Sequence, residues 1–477
     1  VSLTLLQDLE SNVKLTEPGQ VSVKEIKITT RFKTIDIKSM MTELNIYESV
    51  FNTFITADLT LEDTKNALVE EELLGTEPVS IVFETLGSSF PVEVELILAK
   101  VKTKEQIQEK SFRYVLSLVS PESLNDIRTK VSESFTGTYS DIVKTIFKEH
   151  LSSKSNLWLE ETKNFNRMII PNKSPVQAIN MISSFSTAVK EGNASFLFFQ
   201  TTKSYQWRSF GDMIWYNNIS PQGIDIKVEK EKLSLTSSSN TDKMLRAIDF
   251  KVETDVNIIQ HTAIGTYGST LVSHNIHAKT YDISTWNYHE QFDPDLDAKS
   301  QKMAKIAEFP LTPHGPIDED RNNLSGFYDS EVNMISTSRE KQYTADPYKG
   351  TFQPLDYSGT VLQRKSEVAA STMLRANLTI AGMSGIQAGD IITMNINKAD
   401  SVSGIDPSVE IKKDAKLSGP WMIESVAHSI TGTKYFCILK IARDSTNMER
   451  TPYSALNYDE KEVEFIVASG SGISNRQ

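Results

Sequence analysis

From Glu43 to Thr85 the sequence alternates, and that alternation restricts it to strands. Ile55, Ala57, Leu59 and Leu61 are spaced two apart, with Thr56, Asp58, Thr60 and Glu62 between them. A period of two sets the apolar group on a covered face and the polar group in water. Ile46-Tyr47-Glu48-Ser49-Val50 precedes the run as an apolar and aromatic knuckle. Asp63-Thr64-Lys65-Asn66 follows it, and Asp and Asn favour turns by bonding the backbone two residues on. Ala67 to Leu74 can make two helical turns, ended by Gly75, a residue that accepts the left-handed conformation of helix ends. Pro78 leads into Val79, Ile81 and Phe83 on a second alternating face, opposite Ser80 and Glu84. Strand, acidic turn, short helix, glycine and strand describe one edge of a β-barrel with a helix packed across it.

The flanking residues extend this pattern. Val21, Val23, Ile26 and Ile28, then Phe32, Ile35 and Ile37, read as one or two earlier strands. Val92, Val94, Leu96 and Leu98 alternate with Glu93 and Glu95, and residues 102–110 (KTKEQIQEK) read as a charged hairpin tip. Phe112, Tyr114, Leu116 and Leu118 return. Residues 1–120 are therefore expected to form a first tube-like β-barrel domain.

After Pro121 the period changes. Thr138-Tyr139-Ser140-Asp141 has capping-box spacing ahead of an Ile142/Ile146 and Val143/Phe147 stripe. Ser174-Pro175-Val176-Gln177 is a second helix start. Phe196–Phe199 and Tyr205–Phe210 read as a hairpin, so 121–215 is expected to be an α+β domain. Residues 216–375 are expected to hold strands of a second barrel (Ile248, Phe250, Val252) with a loop-rich insertion. Within that insertion, 290–356 lacks a sustained period, apart from an isolated helix near Ala298–Ala307. Leu362, Ser366, Ala369 and Met373 mark a helix face. Ala388-Gly389-Asp390-Ile391-Ile392, Ser418-Gly419-Pro420-Trp421 and Tyr435–Ala442 read as turn and strand units, making 376–444 the closing part of the second barrel. Residues 445–477 are expected to be a flexible C-terminal tail.

Few residues invite chemistry. Four of the seven histidines fall together, His261, His274, His277 and His289. His274 and His277 would suit a metal on a helix, but the surrounding residues read as strand, where positions three apart face opposite sides. Glu70-Glu71-Glu72, Asp58/Glu62/Asp63 and Asp318-Glu319-Asp320 read as solvated charge runs rather than an acid/base pair set across a substrate. No phosphate-loop, GxSxG, HExxH or paired CxxC motif occurs. No catalytic, cofactor-binding or metal residue is therefore assigned, and no cofactor is expected. The net charge of −12 argues against a grip on nucleic-acid phosphates. The single cysteine, Cys437, excludes a disulfide within the chain and reads as a small buried hydrophobe, in keeping with assembly in a reducing cytoplasm. No secretory signal is expected, and no apolar run approaches the ~20 residues of a membrane-spanning helix. With 477 residues, about three or four domains are expected.

Three separated segments resemble one family in the right order. The knuckle, the strand ending Leu-Glu-Asp and the Leu-Leu-Gly-Thr-Glu step resemble the N-terminal barrel of baseplate hub proteins of contractile-tailed (myovirus) bacteriophages. The capped helix, Pro-Asn-Lys-Ser-Pro helix and hairpin occur in that family at this place. Gly265-Thr266-Tyr267 resembles its Gly-x-Tyr segment of the second barrel. The Gly-Asp turn, the Gly-Pro-Trp strand and a last strand ending Ala-Arg-Asp resemble its closing barrel. The resemblance implies a mainly β chain with α+β insertions, two tube-like antiparallel β-barrel domains and long loops. It implies a structural protein of the virion's tail baseplate, assembled in the host cytoplasm, which joins the tail tube to the central spike. Its implied partners are the spike, the tube and tube-initiator proteins and the baseplate wedge proteins, with genomic DNA passing the lumen unbound. A sixfold tube met by two barrels per chain implies a homotrimer. The short segment after Asp444 shows no β-helical repeat, so the spike is expected to be a separate protein. Acidic charge is expected on the lumen wall. The alternatives are a tail-associated cell-wall hydrolase using Glu70 or Asp63, and a receptor-binding fibre.

Overall fold

The structure is a computed structural model. It describes residues 17–68, 73–85, 91–108, 111–163, 165–190, 192–219, 225–228, 243–254, 257–275, 279–292, 303–312, 323–337, 344–345, 352–353, 357–397 and 413–448. The first β unit comprises β1 (Val21–Thr29), β2 (Thr34–Asp36), β3 (Met41–Ser49), β4 (Thr56–Asp63), β5 (Pro78–Thr85), β6 (Val92–Gln108) and β7 (Ser111–Val119). An α+β segment follows, with β8 (Ser134–Thr138), β9 (Leu157–Leu159), β10 (Phe165–Ile169), β11 (Phe196–Gln200) and β12 (Tyr205–Ser209) among its helices. Next come β13 (Asp225–Val228), β14 (Ala247–Thr254), β15 (Gly268–Asn275), β16 (Thr280–Asn287), β17 (Phe309–Pro310), β18 (Val332–Thr337), β19 (Thr344–Ala345) and β20 (Phe352–Gln353). The chain ends its described part with β21 (Leu374–Ala381), β22 (Ile391–Ile396), β23 (Gly419–Thr431), β24 (Lys434–Arg443) and β25 (Ser445–Thr446). The protein is mainly β, with large antiparallel sheets and α+β insertions.

The alternation read in β4 is real: Ala57, Leu59 and Leu61 are buried while the residues between them are partly exposed. Together with Ile26, Ile81, Phe83, Leu116 and their neighbours they build a core that runs on into Leu378, Ile380, Leu439 and Ile441. Apolar area removed from water is the main favourable term here, roughly 1.5–3 kcal/mol per fully buried large aliphatic side chain.

One 13-stranded sheet carries both β units, in the order β14-β21-β24-β23-β3-β4-β7-β6-β5-β1-β2, with β22 and β13 branching from β23. Within it a pattern occurs twice. The order β3-β4-β7-β6-β5 is repeated as β14-β21-β24-β23-β22, every neighbouring pair antiparallel. Two of the irregularities repeat too. A bulge between Met41 and Glu43 against β4 is matched by one between Ala247 and Asp249 against β21. A bulge between Leu98 and Lys100 against β7 is matched by one between Ile423 and Ser425 against β24. Bulges re-aim strands at fixed places, so their coincidence marks two copies of one structural unit.

The α+β segment has its own core, built from Ile142, Val143, Phe147, Ile179, Ile182, Phe196 and Trp207 among others. Both capping boxes form: Thr138 with Asp141, and Ser174 with Gln177, the latter with Pro175 at the first helical position. Such caps satisfy helix N–H groups that the helix itself cannot pair.

Several expectations need correction. The hairpin tip expected over 102–110 is shorter, because β6 continues to Gln108 and pairs with β7 as far as Ser111; 109–110 lie outside the described residues. β15 belongs not to the second barrel but to a separate sheet, β16-β15-β18, and β18 lies in the stretch expected to be loop. Its parallel pairing with β15 across a long connection leaves no local period to read. Residues 303–307 are not helical, and 298–302 lie outside the described residues. Of the expected helix at Ala67–Leu74, Ala67 and Leu68 form a turn, and 69–72 lie outside the described residues. Packing continues past Asp444, since Ser445 and Thr446 are buried and pair with β17; residues 449–477 lie outside the described residues.

Candidate functional site

The two β units meet where β3 pairs antiparallel with β23, from Ser49↔Ser425 to Glu43↔Thr431. The knuckle Ile46–Val50 is the end of β3 at this seam, and Val50 N donates to Glu424 O at 3.0 Å. The first unit also leans on the second at its other side. Gln20 bridges Lys434, and Tyr435 N donates to Gly19 O at 2.8 Å; within the second unit, Gly382 N donates to Tyr435 O at 2.8 Å. Thr85 and Ser384 exchange hydrogen bonds, 3.3 Å from Thr85 N and 2.9 Å from Ser384 N. Gly382 is required by closeness: a Cβ there would lie 2.1 Å from Tyr435 Cγ.

Alternation turns Glu48, His428, Tyr435 and Cys437 inward at this seam. His428 Nε2 lies 2.9 Å from Glu48 Oε1, and Nδ1 lies 2.7 Å from the Tyr435 hydroxyl. Cys437 Sγ lies 3.8 Å from His428 Nδ1, and Met383 N donates to Sγ at 3.4 Å. Burial works against the charged imidazole, but its hydrogen bonds to Cys437 and Glu48, and their charges, outweigh this and lift His428 to about 10. Both ring nitrogens of His428 are thus engaged, one by the Glu48 carboxylate and the other by the Tyr435 hydroxyl. Thiol, imidazole and carboxylate in contact are the parts of a nucleophilic site. Here His428, Tyr435 and Cys437 are 0% exposed and Glu48 is 2% exposed, so no substrate reaches the sulfur. The cluster is a polar rivet through the seam. Cys437 is buried as expected from the sequence. Glu48 and His428 carry no local signal, because the contact joins strands from opposite ends of the chain.

The residues singled out in the sequence do other work. Asp63 is buried, and its carboxylate accepts from Lys65 N at 3.0 Å, Ala67 N at 3.1 Å and Leu68 N at 2.8 Å. It builds the turn. Asp58 pairs with Lys102 at 2.6 Å and Glu62 with Arg113 at 2.8 Å across the outer face. His261 and His289 flank the Tyr267 ring, at centroid distances of 6.4 and 6.3 Å. His289 is buried against Ser325 Oγ at 2.5 Å and Thr312 O at 3.0 Å. His274 is exposed on β15 opposite Tyr281. His277, Glu70–Glu72 and Asp318–Asp320 lie outside the described residues. Among the described residues no three His, Cys, Asp or Glu side chains gather as a metal ion would need.

Three other carboxylates are shifted upward, the buried Glu367 and Asp390 and the partly exposed Glu160. Glu367 accepts from Asn193 Nδ2 at 2.9 Å and Gln363 Nε2 at 3.0 Å, and burial lifts it to about 7. Glu160 accepts from Ser209 N at 2.7 Å, and burial lifts it to about 7 as well. Asp390, in the turn before β22, is lifted by burial to about 6. A cavity of ≈ 640 Å³ lies between the β5–β6 face and the α+β segment, lined by Glu93, Glu95, Glu122, Lys154 and Lys203 among others. The carboxylate of Glu122 is already engaged by Ser120 and by Ser153 Oγ, the latter at 2.6 Å.

No protein-family model matches the chain, and no curated protein matches it in sequence. Solved structures do. The chain is similar to the 43 kDa tail protein of prophage MuSo2 from Shewanella oneidensis, at 10% identity over 88% of this chain and 98% of that one, TM-score 0.46. It is similar to a tail protein from Neisseria meningitidis MC58, at 10% identity over 88% and 96%, TM-score 0.49. A third similar structure is the Escherichia coli c3393 protein, a component of the type VI secretion system described as structurally similar to T4 bacteriophage tail proteins gp27 and gp5. There the identity is 9% over 89% and 76%, with a TM-score of 0.38. Among the described residues no helix is long and apolar enough to cross a membrane.

Proposed function

We propose that the chain is the structural baseplate hub of a contractile phage tail, a ring-forming adaptor between tail tube and central spike that lines the DNA exit channel. One observation carries this reading: a single chain holds two copies of one β unit, already joined edge to edge by β3 and β23. Three such chains present six units, the number a sixfold tube offers. The tube and tube-initiator proteins would sit on one side of the ring, the spike on the other, and the wedge proteins around it. The net charge of −12 per chain suits a wall past which DNA slides. The role is architectural and not enzymatic; the thiol–imidazole–carboxylate cluster is sealed inside the seam.

Light scattering on the purified protein should give a mass near three times 53.5 kDa, and negative-stain images should show rings with a central hole. A stable monomer, or an elongated fibre, overturns the reading.

A further inference from the structure

The cavity between the first β unit and the α+β segment is lined by polar groups that the protein leaves without partners. On one wall Glu93 and Glu95 stand two residues apart on β6, so both side chains share a face, and both are exposed. Such positions lie about 6.5 Å apart along a strand, close enough for two carboxylates to close on one cationic group. Neither makes an ion pair with any described residue. Another wall is the turn after β11. There Gln200 is 8% exposed, and its Oε1 accepts from Ile55 N at 3.1 Å. That bond fixes the amide, since the reverse orientation would set two donors against each other. Gln200 Nε2 is left to the cavity, and no described group accepts from it. In the same turn the Thr202 hydroxyl is buried without a hydrogen-bond partner. Lys154, exposed at the rim, pairs with no described carboxylate. Lys203, by contrast, donates to Gly385 O at 3.0 Å, and Glu122 is held by its two serines.

Folded proteins pair nearly all their buried polar groups, so a buried donor kept open at a cavity points to an acceptor that arrives from outside. The volume of ≈ 640 Å³ is within the range of roughly 300–1,000 Å³ common to ligand sites. A metal ion does not fit, because no three His, Cys, Asp or Glu side chains gather there among the described residues. We propose that this cavity binds an extended peptide segment of another protein that carries an arginine or lysine side chain. Glu93 and Glu95 receive the cationic group, Gln200 Nε2 donates to a peptide carbonyl, and Lys154 is placed for a carboxylate of the same segment. Arginine suits the acid pair better than lysine, because its planar fork can donate to both carboxylates at once. The site lies within one chain and does not depend on ring formation.

The test is isothermal titration of the full chain with the blocked peptide acetyl-Gly-Gly-Arg-Gly-Gly-amide at low salt. Saturable binding at one site per chain is expected, weakening as salt is added. The same peptide with glutamate in place of arginine should bind at least tenfold more weakly. Glu93→Gln with Glu95→Gln should weaken the arginine peptide by a similar factor while thermal melts stay like wild type. Glu161→Gln with Glu308→Gln makes the same change of charge at exposed positions that do not line the cavity, and should leave binding unchanged. Agmatine, a guanidinium without a peptide carbonyl, should bind more weakly than the peptide. No saturable binding overturns the proposal, as does equal binding of the glutamate peptide or an equal loss in the control variant. Agmatine binding as tightly as the peptide overturns the peptide reading in favour of a site for small cations. None of these outcomes bears on the hub reading.

Discussion

Glu48 and His428 lie 380 residues apart in the sequence and 2.9 Å apart in the fold. The pair is buried and ties β3 to β23. Removing one partner leaves a charge in the interior without its counter-ion, which costs about 3–5 kcal/mol. His428→Ala should lose about that much in equilibrium denaturation. Glu48→Gln, which keeps an acceptor, should lose less. Equal and negligible losses would show that the pair does not hold the seam.

Gly389 has φ of +89°, and a Cβ there would lie 3.2 Å from Met213 Sδ and 3.3 Å from the Phe199 ring. A left-handed residue with a Cβ costs about 1–2 kcal/mol before any contact is counted. Gly389→Val is expected to lower the melting temperature and weaken closure of the second unit. An unchanged melting curve would contradict the turn geometry.

Asp63→Ala removes the acceptor for three backbone N–H groups, so a loss of about 1–3 kcal/mol is expected from those left unpaired. The same carboxylate is the one a cell-wall hydrolase would need. Wild-type protein incubated with peptidoglycan should release no soluble fragments, and activity abolished by Asp63→Asn would reverse the architectural reading.

Acidity should stabilise the protein. Glu160 and Glu367 are raised from 4.5 to about 7 and Asp390 from 3.8 to about 6, in each case chiefly by burial. Between the unfolded and folded values the native state binds more protons than the unfolded chain, so stability falls as pH rises through that window. His428, raised from 6.5 to about 10, adds stability that is complete below 6.5 and lost as pH climbs through about 10. These effects have the same sign, and His261, whose pKa burial lowers, opposes them as a single group. Melting temperature should therefore be higher at pH 5 than at pH 8, and Glu367→Gln should flatten part of the slope.

Local signals told the truth about local structure. The alternation of Ala57, Leu59 and Leu61 became β4, and the Thr138 and Ser174 caps became helix starts, because each depends on residues within one turn or one strand. Contacts across long separations left no trace. The sheet β16-β15-β18 draws strands from about 70 residues of polar sequence. The Glu48–His428 pair, the closest thing to a site, joins two residues unremarkable in their own neighbourhoods. Ile248, which alternates with Phe250 and Val252 in the sequence, is exposed at the bulge between Ala247 and Asp249, and the alternation alone does not show that bulge.

The seam also dictates an order of events during synthesis. β3 leaves the ribosome early, whereas its partner β23 comes after more than 350 further residues. At about 5–20 residues per second that interval is on the order of tens of seconds. Throughout it the N-terminal unit carries an unsatisfied edge at β3 and a glutamate whose counter-ion has not been made. The first half of this protein cannot finish folding until nearly all of the second half has emerged, so a prematurely released chain exposes a sticky strand where a complete one has a wall.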